Sequence, residues 1–172
     1  MKTKYYYLHI NEDDGEVARA PLENKIEFVE EILDYSVLPF QFKVEKKCLQ
    51  DYQSNDLSWI LFSKKMYDIF IDYSSNKFKW VSTSILDPIL NKNCSYYVFC
   101  PLKDIDVLNV NKSIFAGNDF VVKAVFDVAK VKNLKMFFIP GSSFRLVVHE
   151  EIKEKIINCK CTGIEFSEVL VK

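Results

Sequence analysis

Leu146-Val147-Val148-His149-Glu150-Glu151-Ile152-Lys153 is the stretch on which the fold turns, because it reads as a strand running straight into a helix. Ile152 and Ile156 mark the helical face, and Gly163 introduces Ile164 to Val171 as a following strand. The same grammar occurs 86 residues earlier, where Ile60-Leu61-Phe62-Ser63 aligns with Leu146-Val147-Val148-His149. Met66, Ile69, Phe70 and Tyr73 then fall at helical spacing, and Phe78, Trp80 and Val81 suggest the next strand. Ser63 suits an N-cap, since its hydroxyl can accept from an orphan amide of the first turn. The sequence therefore predicts a strand-helix-strand unit used twice.

Outward from these blocks, Tyr5 to Ile10 reads as an N-terminal strand, and Asp13-Asp14-Gly15 supplies turn chemistry for a second strand to fold back as a hairpin. Leu22, Ile26, Val29 and Leu33 lie on one face of a predicted helix. Glu23, Glu27, Glu30, Glu31 and Asp34 form an acidic stripe on the other. Pro39 stops that helix, and Phe40, Phe42 and Val44 alternate with polar residues as in a half-buried strand. Between the two units, Tyr96 to Phe99, Phe120 to Val128 and Leu134 to Ile139 read as further strands. The expectation is an α+β fold with a mixed, mainly antiparallel sheet and a few short helices. With four glycines and no Pro- or Ser-rich tract, residues 1–172 are expected to form one domain, in which 1–90 and 91–172 could stand as lobes.

Composition narrows the function. Hydrophobic residues make 49% of the 172-residue chain and charged residues 27%, which favours a packed globule over disorder. The formal net charge is -1, and only Arg19 and Arg145 are arginines, so the basic, Arg-bearing surface of a nucleic-acid binder is not expected. Charge is uneven: residues 1–34 hold nine acidic and four basic side chains, a net -5 that leaves +4 on the rest. An acidic cluster of this kind speeds encounter with a basic partner, which makes the stripe from Glu23 to Asp34 the candidate interface. No apolar run approaches the ~20 residues of a membrane helix. Five cysteines, an odd number, and no secretory pattern near Met1 point to a reducing cytoplasm.

No catalytic signature emerges. Glycines are too widely spaced for a phosphate-binding loop, and Gly141-Ser142-Ser143 after Pro140 reads as a turn. Cys159-Lys160-Cys161 is spaced more tightly than a zinc knuckle, so no metal and no cofactor are expected. His149 occupies the slot of Ser63, which favours capping over nucleophilic catalysis for both. Glu150-Glu151 and Asp104 to Asp106 read as solvated carboxylates, the former pair suiting the dipole of a helical first turn.

The order of segments in the second half carries a resemblance. Tyr96-Tyr97-Val98-Phe99, Asp106-Val107-Leu108-Asn109 with Lys112-Ser113, the Phe120 to Lys130 run, and Leu146 to Lys153 with Thr162-Gly163-Ile164-Glu165-Phe166 together resemble the immunity proteins of bacterial polymorphic toxin systems, in particular the families numbered eleven and forty-three. The resemblance implies a non-enzymatic protein that binds and neutralises a cognate toxin encoded nearby. It transfers no functional residues to this chain. A Cys- or His-dependent hydrolase or transferase, or a ligand-binding module, is the alternative.

Overall fold

The computed structural model describes residues 4–11, 15–21, 41–45, 48–74, 77–102, 105–117, 120–140 and 145–172. Among these, strands β1 (Tyr5–Ile10), β9 (Met136–Phe138), β10 (Leu146–His149) and β11 (Ile164–Glu168) form a four-stranded sheet in the order β11-β1-β10-β9. Strands β2 (Gln41–Lys43), β3 (Tyr52–Gln53), β4 (Leu61–Ser63), β5 (Phe78–Asp87) and β6 (Lys92–Pro101) form a second sheet, ordered β2-β5-β6-β4-β3. A separate hairpin joins β7 (Ile114–Ala116) to β8 (Phe120–Lys123). The helices are α1 (Lys64–Phe70), α2 (Val128–Val131) and α3 (Glu150–Asn158). Every ladder is antiparallel except β2 with β5, so the fold is the mixed, mainly antiparallel α+β architecture that the sequence predicts.

The predicted duplication is visible as topology. In the second sheet, β4 and β5 flank β6, so the strands before and after α1 run parallel with one antiparallel strand between them. In the first sheet, β10 and β11 flank β1 in the same way around α3. The outer strands correspond too, β3 beside β4 and β9 beside β10. The order β3-β4-β6-β5 is therefore repeated as β9-β10-β1-β11, with the central strand drawn from the opposite end of the chain. The second unit is a circular permutation of the first.

That permutation corrects the N-terminal hairpin. Strand β1 is an interior strand, paired with β10 from Tyr5↔His149 to Tyr7↔Val147 and with β11 from Tyr6↔Glu168 to Ile10↔Ile164, and the residues after Gly15 do not fold back onto it. Ala18 and Arg19 instead bridge to Asn55 and Lys43 of the second sheet. The strand read over Phe120 to Val128 is also shorter than predicted. It ends at Lys123, and Asp127 caps α2 by accepting from Ala129 N at 2.8 Å. Likewise β11 ends at Glu168, with Val171 making only an isolated bridge to Phe126. Asp13, Asp14 and the predicted helix from Leu22 to Asp34 lie outside the described residues.

Period-two alternation sends neighbouring side chains to different cores. Leu146 and Val148, with Tyr6, Leu8, Met136 and Phe138, face the second sheet and both longer helices, where they meet Phe62, Met66, Phe70, Phe99 and Ile152. Phe99 lies 5.6 Å from Phe138 and 6.2 Å from Phe62, ring centre to ring centre, which ties the sheets together through aromatic contacts. Val147, Tyr5 and Phe137 point the other way, onto Phe126, Val107, Val121 and Val131. The outer face of the second sheet buries Phe42, Trp59, Leu61, Ile85 and Val98. Aliphatic runs such as Leu146-Val147-Val148 are continuous because both faces of their sheet are covered.

Helix α3 ends in a Schellman arrangement: Cys161 N donates to Ile156 O and Lys160 N to Ile157 O, with Lys160 at φ 52°. Gly163 follows at φ 76°, and a Cβ there would lie 2.5 Å from the Tyr52 carbonyl oxygen. These two positions give opposite expectations in urea denaturation. Lys160→Gly relieves a left-handed side chain and should raise stability by about 1 kcal/mol. Gly163→Ala should lower it by more than about 1 kcal/mol, because conformation and space both oppose it.

Candidate functional site

The polar residues singled out in the sequence converge on the twin strand-to-helix junctions. Ser63 (φ -63°, ψ 167°) accepts from Met66 N at 3.3 Å and donates its hydroxyl proton to Asp51 Oδ1 at 2.7 Å. Asp51 Oδ2 also takes Lys65 Nζ at 2.8 Å and Thr162 N at 3.0 Å, the latter from the turn that closes the other unit. In that unit His149 (φ -67°, ψ 151°) accepts from Glu151 N through Nδ1 at 3.1 Å, so it caps α3 as Ser63 caps α1. Lys135 stands where Asp51 stands: Ser63 N donates to Asp51 O and His149 N to Lys135 O, both at 2.8 Å. Opposite the caps, Tyr96 OH donates to Gln50 O at 2.6 Å, while Tyr5 OH lies 2.5 Å from Val131 O and 3.0 Å from Leu134 O.

Each junction holds one ion pair, and the polarity is reversed between them. In one, the carboxylate of Asp51 on the strand side meets Lys65 of the helix. In the other, Lys135 on the strand side meets Glu151 of the helix, which also accepts from Tyr73 OH at 2.8 Å. Burial pushes the Asp51 carboxyl up, but hydrogen bonds from Lys65, Ser63 and Thr162 outweigh it and hold the pKa below the ordinary value. Burial, followed by nearby Lys135, lowers the His149 pKa, which favours the neutral imidazole that can accept the capping amide. These groups are engaged in holding backbone and helix ends.

The remaining candidates are dispersed. His9 lies on the exposed end of β1, its Nε2 2.7 Å from Ser167 Oγ. That pairing across 158 residues has no local sequence signal, and among the described residues no carboxylate bonds the other ring nitrogen. The contact is a cross-strand hydrogen bond between β1 and β11. All five cysteines are free thiols. Burial raises the Cys161 thiol to about 12, which favours the protonated, weakly nucleophilic form. Among the described residues no three His, Cys, Asp or Glu side chains gather around a point where an ion could sit. Asp106 is paired with Lys130 at 2.7 Å. Glu23, Glu27, Glu30, Glu31 and Asp34, together with Asp104 and Gly141-Ser142-Ser143, lie outside the described residues.

A different surface draws attention on physical grounds. The β7–β8 hairpin turns Phe115 and Val121 toward the core beneath the four-stranded sheet and leaves Ile114, Phe120 and Val122 more than half exposed. Beside it runs a cleft lined by Tyr7, His9, Val122, Lys123, Arg145 and Leu170, among others. Sequence reading places Phe120 and Val122 in a strand, as observed, but β-branched and aromatic residues signal a strand without saying which face is covered.

Comparison with known proteins answers first at the level of class, which is that of immunity proteins. The chain belongs to the immunity protein family Imm11, whose model matches residues 5–171, nearly its whole length. No curated protein matches it.

Two measurements check the junctions. Asp51→Ala removes the acceptor shared by Ser63, Lys65 and Thr162, and chemical denaturation should show a loss of about 2 kcal/mol, the scale of hydrogen bonds to a charged group. Because the folded state lowers the His149 pKa from 6.5, the unfolded chain binds more protons as pH falls through that value. Stability should thus decline on acidification from neutrality through pH 6.5 and level off below the folded pKa. In His149→Asn, which keeps a capping acceptor, that part of the pH dependence should vanish.

Proposed function

We propose that this Imm11 member binds and neutralises a cognate toxin through a protein-protein interface, without catalysis, in the cytoplasm of a bacterium that encodes the toxin nearby. The observation that carries the reading is the family match over residues 5–171. Two features support a binding role. Polar side chains at the junctions are committed to caps and ion pairs, and the aromatic core shared by both sheets makes a rigid support for a recognition surface. Preorganisation of this kind lowers the ordering cost of association. The shared core also favours treating residues 1–172 as one folding domain.

Coexpression with the product of the adjacent gene tests the reading. The neighbouring protein should be toxic alone and harmless with this chain, and the two should copurify as a stoichiometric complex. Protection should persist in the His9→Ala, His149→Asn and Cys161→Ser variants. Loss of protection with complex formation intact would instead favour the hydrolase or transferase reading.

A further inference from the structure

The geometry points to the outer face of the β7–β8 hairpin, together with Arg145, as the surface that meets the toxin, and to a partner patch that carries carboxylates around an apolar centre. This rests on the immunity reading above.

The hairpin is anchored from below. Ser113 Oγ donates to Val125 O at 3.1 Å and accepts from Val125 N at 3.0 Å, while Asn109 N donates to the same carbonyl at 2.8 Å. Phe115 and Val121 pair across the strands and pack on the core, so the outer face is presented by a fixed base. On that face Phe120 lies opposite Ala116 and Ile114 opposite Lys123. The register shift between Ile114 and Phe115 makes Val122 the extra residue of a bulge. Phe120 is 63% exposed, Val122 56% and Ile114 54%. An apolar group held outward at this density is unfavourable in water and favourable under a partner.

Charge selects the partner. Lys123 and Arg145 are exposed on the cleft beside this face; Glu168 lines the same cleft but pairs with Lys4 at 3.8 Å, and among the described residues neither cation has a carboxylate within ion-pair distance. By contrast Lys64, Lys65, Lys130 and Lys135 are each matched with an acid. Arg145 Nη1 sits 3.4 Å from Val121 O, which places the guanidinium against the hairpin. Its planar fork matches a carboxylate with two parallel hydrogen bonds. An aromatic and an arginine beside aliphatic side chains is the composition of an interface centre. Ile89 and Leu90 at the β5–β6 turn are also exposed, with Lys92 beside them, but among the described residues no arginine lines the cleft they border.

Binding of the purified chain to its genetic-neighbour toxin, at low and high salt, tests the assignment. Phe120→Asp should weaken binding by about 100-fold, as loss of a central anchor does. Lys123→Glu with Arg145→Glu should slow association by at least about 10-fold at low salt and flatten the salt dependence. Ile89→Asp should bind as wild type. Because the altered groups are exposed, melting temperatures should stay at the wild-type value, and hydrogen exchange should show residues 114–123 protected in the wild-type complex. Wild-type affinity in the hairpin variants, with protection elsewhere, would overturn the proposal. So would loss of binding on charge reversal of Glu23, Glu27 and Glu30 in place of the hairpin, or a homodimer that Phe120→Asp dissolves. Failure of the wild-type chain to bind or protect would instead remove the immunity reading, and this assignment with it.

Discussion

The carboxylate of Asp51 is the constraint on which both halves of the molecule lean. One oxygen takes the hydroxyl that caps α1, the other takes a lysine from that helix and the backbone of Thr162 at the end of α3. A single side chain thus fixes the entry of one helix and the exit of the other. Next to it, Tyr52 N donates to Thr162 O, and Gly163 approaches the Tyr52 carbonyl so closely that only hydrogen fits between them. The two units are locked at this point by short polar contacts and elsewhere by a contiguous aromatic core.

The mirrored chemistry at the other junction shows what a repeated fold preserves. Capping is kept, although a hydroxyl becomes an imidazole, because the slot requires an acceptor and either can serve. The cross-strand tyrosine and its bond to a preceding carbonyl are kept. The ion pair is kept with its signs exchanged, since attraction depends on the product of the charges and not on which side holds which. At these slots the residues differ while the contacts correspond.

Which parts of this were legible in the chain follows from range. The caps at Ser63 and His149, the helices after them and the strands before them depend on residues a few positions apart, and local spacing reveals them. The place of β1 depends on pairing with residues 140 or more positions away, so a nearby Asp-Asp-Gly turn suggested a hairpin where the fold makes β1 an interior strand. Asp127 starts a one-turn helix inside a run of strand-forming residues, where apolar pattern masked a cap. Phe120 and Val122 read as strand and lie in one, but their exposure is not in the pattern. A ring or branched side chain announces strand, and only the surrounding fold decides whether it meets protein or water.

The permuted order of the first sheet bears on how the chain is made. Strands β3 to β6 are contiguous, so that sheet can assemble from neighbouring segments as they leave the ribosome. Strand β1 is made well before its partners β10 and β11, a separation reaching 158 residues at His9 and Ser167. Loops that long close slowly. Until β10 and β11 are made, an aromatic strand with two bare edges must be kept from foreign pairing.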